Sequence, residues 1–225
     1  PVVPDDNNPV VSENSGPASS DLNEHTHITG DWCVEKDATT TTDGLKLKKC
    51  TICGTILEFE IIPQYTVSFN VKGTIPLQLK QSTRMIKAIA TDGDQIVSYK
   101  SSNPKVASVT KNGKITGKKQ GIAIITVTTQ KGAKATIKIK VQKNVVKTKK
   151  LTTSKKKITL KERSSYKLIV TKTPITSLEK VTYSSSNKNV ATVNRNGKIK
   201  AKSKGTAKIT IRCGTKKATV KITVK

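Results

Sequence analysis

The sequence predicts an all-β chain: two tandem β-sandwiches preceded by a small β module. Three observations carry that reading. First, SSNPKVASVTKNGKITGKKQG at residues 101–121 returns as SSNKNVATVNRNGKIKAKSKG at residues 185–205, an offset of 84. Self-similarity at a fixed period fixes the architecture, and a period this long suits a whole small domain rather than one turn of a solenoid. Second, each copy carries about seven short runs that alternate apolar and polar residues between turn signals, the pattern of a sandwich. Third, the charge divides at the same place. Residues 1–64 hold 11 acids against four lysines, net −7, while residues 65–225 hold 38 Lys and Arg against four acids, net +34. A charge break that coincides with a pattern break supports a domain boundary there.

Residues 1–24, PVVPDDNNPVVSENSGPASSDLNE, are rich in Pro, Asn, Ser and acids and show no periodicity. They bury too little apolar area to offset the entropy of ordering, so a flexible acidic linker is expected. Residues 25–62 form a different unit. GDWCVEK, LKLKKC and GTILEFEII are strand candidates, the first two flanking the turn-rich TTTTDG. Trp32, Val34, Leu45, Leu47, Ile52, Ile56, Leu57, Phe59 and Ile61 supply most of its apolar content. A unit of this size rarely stands on its core alone and usually needs a disulfide or a metal.

The candidates for that role are His25, His27, Cys33, Cys50 and Cys53. Cys50 and Cys53 form one CxxC, a weak signal without a second. Zinc takes Cys and His ligands in a tetrahedron, so these five residues hold enough donors for a zinc site. A disulfide from Cys33 to Cys50 or Cys53 is the competing chemistry, natural in a secreted chain. The hairpin register bears on it. A turn centred on Thr41-Thr42 sets Cys33 opposite Cys50; a turn at Asp43-Gly44 sets it opposite Gly54. Metal, disulfide and free thiols all remain open at this point. A thioredoxin-like role is not expected without a βαβ pattern.

Residues 65–143 are the first sandwich and residues 144–225 the second, with NVVKTKK at 144–150 a short basic link. VASV and VATV read as half-buried strands. Asn112-Gly113 and Asn196-Gly197 follow them, and Asn-Gly between alternating residues is the strongest short hairpin signal. Aromatics are only 3%, so the cores must be aliphatic. Lys138, Lys140 and Lys221 alternate with Ile and Val and should face outward. Cys213 follows Ile209 and Ile211 at period 2, so it should point inward as a small buried hydrophobe matching Thr129. Pro174 lies in the TPITS loop, where a missing N–H does no harm.

The SSN, VASV or VATV, NGKI and G-x-A-x-I-T-V elements resemble the bacterial immunoglobulin-like group 2 domain. That module is repeated in many bacterial surface proteins and adhesins. The resemblance covers residues 65–225 and implies two tandem Ig-like sandwiches of about 80 residues each. It implies no particular ligand, since such domains often serve as spacers. The H-x-H…W…C-x-x-C-G pattern further resembles a small cysteine-containing module that recurs beside these domains. That module commonly has cysteine where Thr40 stands here, and Cys33 follows Trp32 instead. No pairing or ligand set is therefore carried over.

Function is less legible. No GxSxG, P-loop or HExxH occurs, and both histidines lie within the first 27 residues, so no enzyme is expected. Excess lysine protects strand edges from aggregation. It also sets up a field that attracts anionic cell-wall polymers or polysaccharide. Specific nucleic-acid binding is not expected, because the few aromatics form no stacking platform and no helix is available for a major groove. No apolar run is long enough for a transmembrane segment. The chain begins at Pro1 rather than Met and reads as a mature or trimmed fragment of a longer, extracellular, surface-attached or secreted chain. The leading expectation is a non-catalytic structural or adhesion module; the alternative is a specific carbohydrate-binding module.

Overall fold

A computed structural model describes residues 25–225; the linker expected over residues 1–24 lies outside the described residues. All regular structure among the described residues is β, as the alternating patterns predict. The chain divides into two units. One holds residues 25–37 and 44–62, and the other holds residues 38–43 and 63–225.

The first unit is a three-stranded antiparallel sheet of β1 (Cys33–Lys36), β2 (Gly44–Lys49) and β3 (Ile56–Ile62), in the order β1-β2-β3. Cys33 pairs with Leu47, and the register shifts between Val34 and Lys36. Neither expected register survives: Lys36 already pairs with Leu45, so the connection turns earlier than either expected position, and the bulge then slides Cys33 by one residue more. Three ion pairs brace the sheet: Lys46–Glu60 at 2.9 Å, Lys48–Glu58 at 3.1 Å and Lys49–Glu35 at 3.1 Å. The ammonium groups of Lys46 and Lys48 also sit over the Trp32 ring, 4.7 and 4.9 Å from its centre. Little of the unit's apolar content is covered. Trp32, Val34, Ile52, Ile56, Phe59 and Ile61 are all exposed, Phe59 by 70%, and only Gly44, Leu47 and Cys50 of this unit are buried.

The second unit contains the repeat. The first copy is β4 (Val67–Phe69), β5 (Thr74–Gln78), β6 (Ser82–Thr83), β7 (Ala88–Ala90), β8 (Ile96–Ser101), β9 (Ala107–Val109), β10 (Ile115–Gly117), β11 (Gly121–Thr129) and β12 (Lys134–Gln142). The second copy is β13 (Lys150–Thr153), β14 (Lys157–Leu160), β15 (Ser165–Lys167), β16 (Val170–Thr173), β17 (Val181–Ser185), β18 (Ala191–Val193), β19 (Lys198–Ala201), β20 (Gly205–Cys213) and β21 (Lys216–Val224). Strand for strand, the second is the first displaced by nine. Each has a four-stranded sheet, β5-β12-β11-β8 or β14-β21-β20-β17, and a three-stranded sheet, β6-β10-β9 or β15-β19-β18. A strand pair completes each copy, β4-β7 or β13-β16. The long hairpins β11–β12 and β20–β21 are antiparallel, whereas β5 and β14 join their sheets in parallel.

The cores are aliphatic and alternate as the sequence requires. Ile137, Ile139 and Val141 are buried while Lys138 and Lys140 between them are exposed; Val220 and Ile222 flank an exposed Lys221 in the same way. Burying one such Ile or Leu side chain contributes roughly 1.5–3 kcal/mol. The SSN motif is a cassette of local hydrogen bonds repeated in both copies. Ser101 Oγ donates to Ala107 O at 2.6 Å, and Ser185 Oγ to Ala191 O at 2.6 Å. Asn103 and Asn187 accept, through Oδ1, from the backbone N–H of Val106 and Val190.

The copies are locked together by a loop of the second. Ile175, in TPITS, packs against the core of the first copy. Gln81 Nε2 donates to Thr176 O at 2.7 Å, and Thr176 Oγ1 donates to Pro76 O at 2.5 Å. Thr176 is 1% exposed, so these bonds are shielded from water. The basic link is docked too: Val146 and Thr148 are buried, and Thr148 N donates to Glu179 Oε2 at 2.6 Å.

Candidate metal centre

The site of interest lies at one end of the first unit and is built from two short segments. The segment around Thr29 runs antiparallel to the end of β2. Thr29 bridges Cys50, Gly30 N donates to Lys49 O at 3.0 Å, and Thr51 N donates to Ile28 O at 3.0 Å. Gly30 suits so close an approach, since a Cβ there would lie a tight 3.1 Å from Lys49 O. His25 and His27 lie just before this bridge, and their rings come together. The second segment is the CxxC turn. Gly54 N donates to Cys50 O at 2.9 Å, Cys50 N donates to Thr55 O at 2.8 Å, and Gly54 takes a φ of 75° to close the loop.

These segments bring four of the five predicted residues together. One ligand atom from each of His25, His27, Cys50 and Cys53 lies within 4.8 Å of every other. His25 Nε2 is 3.4 Å from Cys50 Sγ, and His27 Nδ1 is 3.5 Å from Cys53 Sγ. The imidazoles meet edge to face, with centroids 5.0 Å apart. Cys33 is not in the group. It is exposed on β1, and its Sγ donates to Leu47 O at 3.4 Å. All four cysteines of the chain are free thiols, and Cys213 is buried within the second sandwich, as its period-2 placement predicts.

The Cys50 thiol is held down at about 5, chiefly by the backbone N–H of Cys53; burial opposes this, and His27, the Ile52 N–H and His25 add to it. Thr55, which sequence reasoning passed over, places its Oγ1 3.1 Å from Cys53 Sγ. The only signal for this part of the site in the sequence is the glycine closing C-x-x-C-G, which marks a tight turn.

The family match falls on the sandwiches. The sequence profile of the bacterial Ig-like domain (group 2) matches residues 66–139 and 147–224, more than half of the chain. The chain belongs to that family. Group 2 domains are Ig-like modules, and here two stand in tandem. A kappa-carrageenase from Pseudoalteromonas carrageenovora is 59% identical over 46 residues, which is 20% of this chain and 12% of that enzyme. The chain therefore spans only a small part of that relative. Among solved structures, domains 5–6 of the S-layer protein SbsC give a TM-score of 0.39 at 15% identity, over 71% of this chain and 97% of that one. Drosophila N-cadherin EC1-3 gives 0.38 at 10% identity, over 85% of this chain and 78% of that one.

Proposed function

We propose that this chain is a non-catalytic extracellular structural and adhesion module. Its two group 2 sandwiches space or present other domains of a longer chain, and their lysine field holds anionic cell-surface polymers. The observation that carries this reading is how the acids of the sandwiches are used. The three ion pairs among the described residues all lie in the first unit. Three of the four acids of residues 65–225 accept backbone N–H groups instead. Asp94 Oδ1 takes Gln95 N at 2.8 Å and Lys131 N at 3.0 Å, Glu162 Oε1 takes Lys204 N at 2.9 Å, and Glu179 Oε2 takes Thr148 N at 2.6 Å. These carboxylates shape loops and leave the lysines uncompensated. Compact ammonium charges on flexible stems suit a diffuse anionic polymer better than bidentate recognition. The locked joint between the copies supports the spacing role, because a spacer must hold its ends at a set separation.

A specific carbohydrate-binding role rests on the short segment shared with an enzyme named kappa-carrageenase. One experiment separates the two readings. The chain is passed over an immobilised sulfated polysaccharide and a neutral one while salt is raised. The Debye length falls from about 10 Å at 0.1 M to about 3 Å at 1 M, so a lysine field should release the sulfated polymer and ignore the neutral one. Lys138→Glu combined with Lys140→Glu should lower the salt needed for release. Retention on the neutral polymer through molar salt would overturn the electrostatic reading in favour of a specific carbohydrate site.

A further inference from the structure

We infer that His25, His27, Cys50 and Cys53 form a closed tetrahedral zinc site that serves as the core of the first unit. Geometry comes first. With Zn–S near 2.3 Å and Zn–N near 2.0–2.1 Å, the sulfur–nitrogen edge of a tetrahedron is about 3.6 Å. The two such edges measured, 3.4 and 3.5 Å, match it, and each joins a different His to a different Cys. All four donors lie within 4.8 Å of one another, so each edge of the tetrahedron is already formed or needs a contraction of at most about 1.5 Å.

The donor set selects the ion. Two thiolates and two imidazoles are the ligands of zinc, whereas calcium and magnesium require oxygen. Two His and two Cys also hold a two-iron cluster in some proteins, but there the nitrogens bind one iron and the sulfurs the other. Here nitrogen and sulfur are interleaved, each His beside a Cys, which fits a single ion. Zinc takes both cysteines as thiolates, any proton still on a sulfur leaving as its Zn–S bond forms, and each imidazole gives a lone pair. Four protein ligands fill the tetrahedron and leave no open position for water or substrate, so the site is structural rather than catalytic. Thr55 Oγ1, 3.1 Å from Cys53 Sγ, supplies an outer hydrogen bond of the kind that orients such a ligand.

The packing of the unit makes the same demand independently. Its sheet buries Leu47 and the Cys50 side chain and leaves Trp32, Val34, Ile56, Phe59 and Ile61 exposed. A sheet of three short strands with so little buried apolar area does not offset its ordering entropy. The cluster adds a cross-link between the His segment and the turn that connects β2 and β3, beyond the backbone bonds of Ile28 and Gly30 to Thr51 and Lys49. Cys33, across from Leu47, takes no part.

The test uses the whole chain, reduced, stripped with chelator and then given Zn²⁺. After desalting, elemental analysis should find about one zinc per chain. Co²⁺ in its place should give the strong visible bands of a tetrahedral thiolate site. Cys33→Ser should retain both the stoichiometry and the spectrum. Cys50→Ser, and His25→Ala combined with His27→Ala, should abolish them. Because substitution at Cys50 can unfold the unit, the Co²⁺ spectrum of the unsubstituted chain and the Cys33→Ser result decide by themselves. Failure of the reduced, unsubstituted chain to retain metal would overturn the inference. So would loss of metal in Cys33→Ser, or an unchanged Co²⁺ spectrum in the double His variant. None of these outcomes depends on polymer binding, so this inference and the function proposed for the sandwiches stand or fall separately.

Discussion

At the scale of single residues, the most constrained positions are those where backbone and side chain meet at close range. Gly197, second residue of the Asn-Gly turn, has a φ of 75°, and a Cβ there would lie 3.0 Å from Tyr183 Oη and 3.2 Å from Leu168 O. Both the dihedral and the contact oppose any larger residue. Gly197→Ala is expected to destabilise the second sandwich by about 1–3 kcal/mol. Chemical denaturation followed by the second copy's tyrosines would measure it, and a change within error of zero would mean the turn relaxes freely. The Asn-Gly turns were legible because one dipeptide carries the whole instruction. Cys33 was not legible in the same way. Its partner depends on where the connection turns, with Lys36 opposite Leu45, and on a bulge between Val34 and Lys36, and neither TTTTDG nor CVEK announces them.

At the scale of elements, alternation alone placed the strands and their faces, whereas connections took their roles from side chains distant in sequence. The basic link is an example. Thr148 Oγ1 meets Ser177 Oγ at 2.9 Å and Cys213 Sγ at 3.2 Å, while Thr148 N binds Glu179 Oε2. The backbone N–H of Thr148 is the main cause holding the Glu179 carboxyl below the usual carboxylate range. A carboxylate whose value is depressed by folding stabilises the fold above its unfolded value, near pH 4.3, and loses that contribution as pH falls through the lower folded value. The melting temperature of the unsubstituted chain should therefore exceed that of Glu179→Gln at neutral pH. The gap should close as acid is added below about pH 4. A gap that stays constant down to pH 2 would show that Glu179 acts through packing and not through charge.

At the scale of the molecule, the joint between the copies decides whether the tandem behaves as one body. Gln81 Nε2 is the donor that satisfies the buried Thr176 carbonyl, and Gln81 itself is 9% exposed. Gln81→Ala strands that carbonyl, at a cost of about 1–3 kcal/mol. Opening of the joint should rise accordingly, and trypsin should cut the lysine-rich link at 147–150 about tenfold faster under conditions where opening limits cleavage. Each sandwich should keep its own melting transition. An unchanged cutting rate would mean that Ile175 and the Thr176–Pro76 bond hold the joint without Gln81.

By itself, the sequence determined the all-β class, the doubling, the strand faces, the turns and the charge division. Each of these follows from neighbours in the chain: a period of two, an Asn-Gly pair, a motif returning after 84 residues. Tertiary structure alone decided which donors meet and which apolar residues are covered. His25 reaches Cys50 because Thr29 bridges a residue 21 positions away, a long-range pairing that local pattern does not encode. Phe59 and Ile61 are apolar strand residues, yet they are exposed because the three-stranded sheet has no second layer within its own unit. The TPITS loop reads as a plain connection, yet its Ile175 packs into the first copy's core. Burial is a property of what lies opposite in space, and that is settled only when the chain has folded.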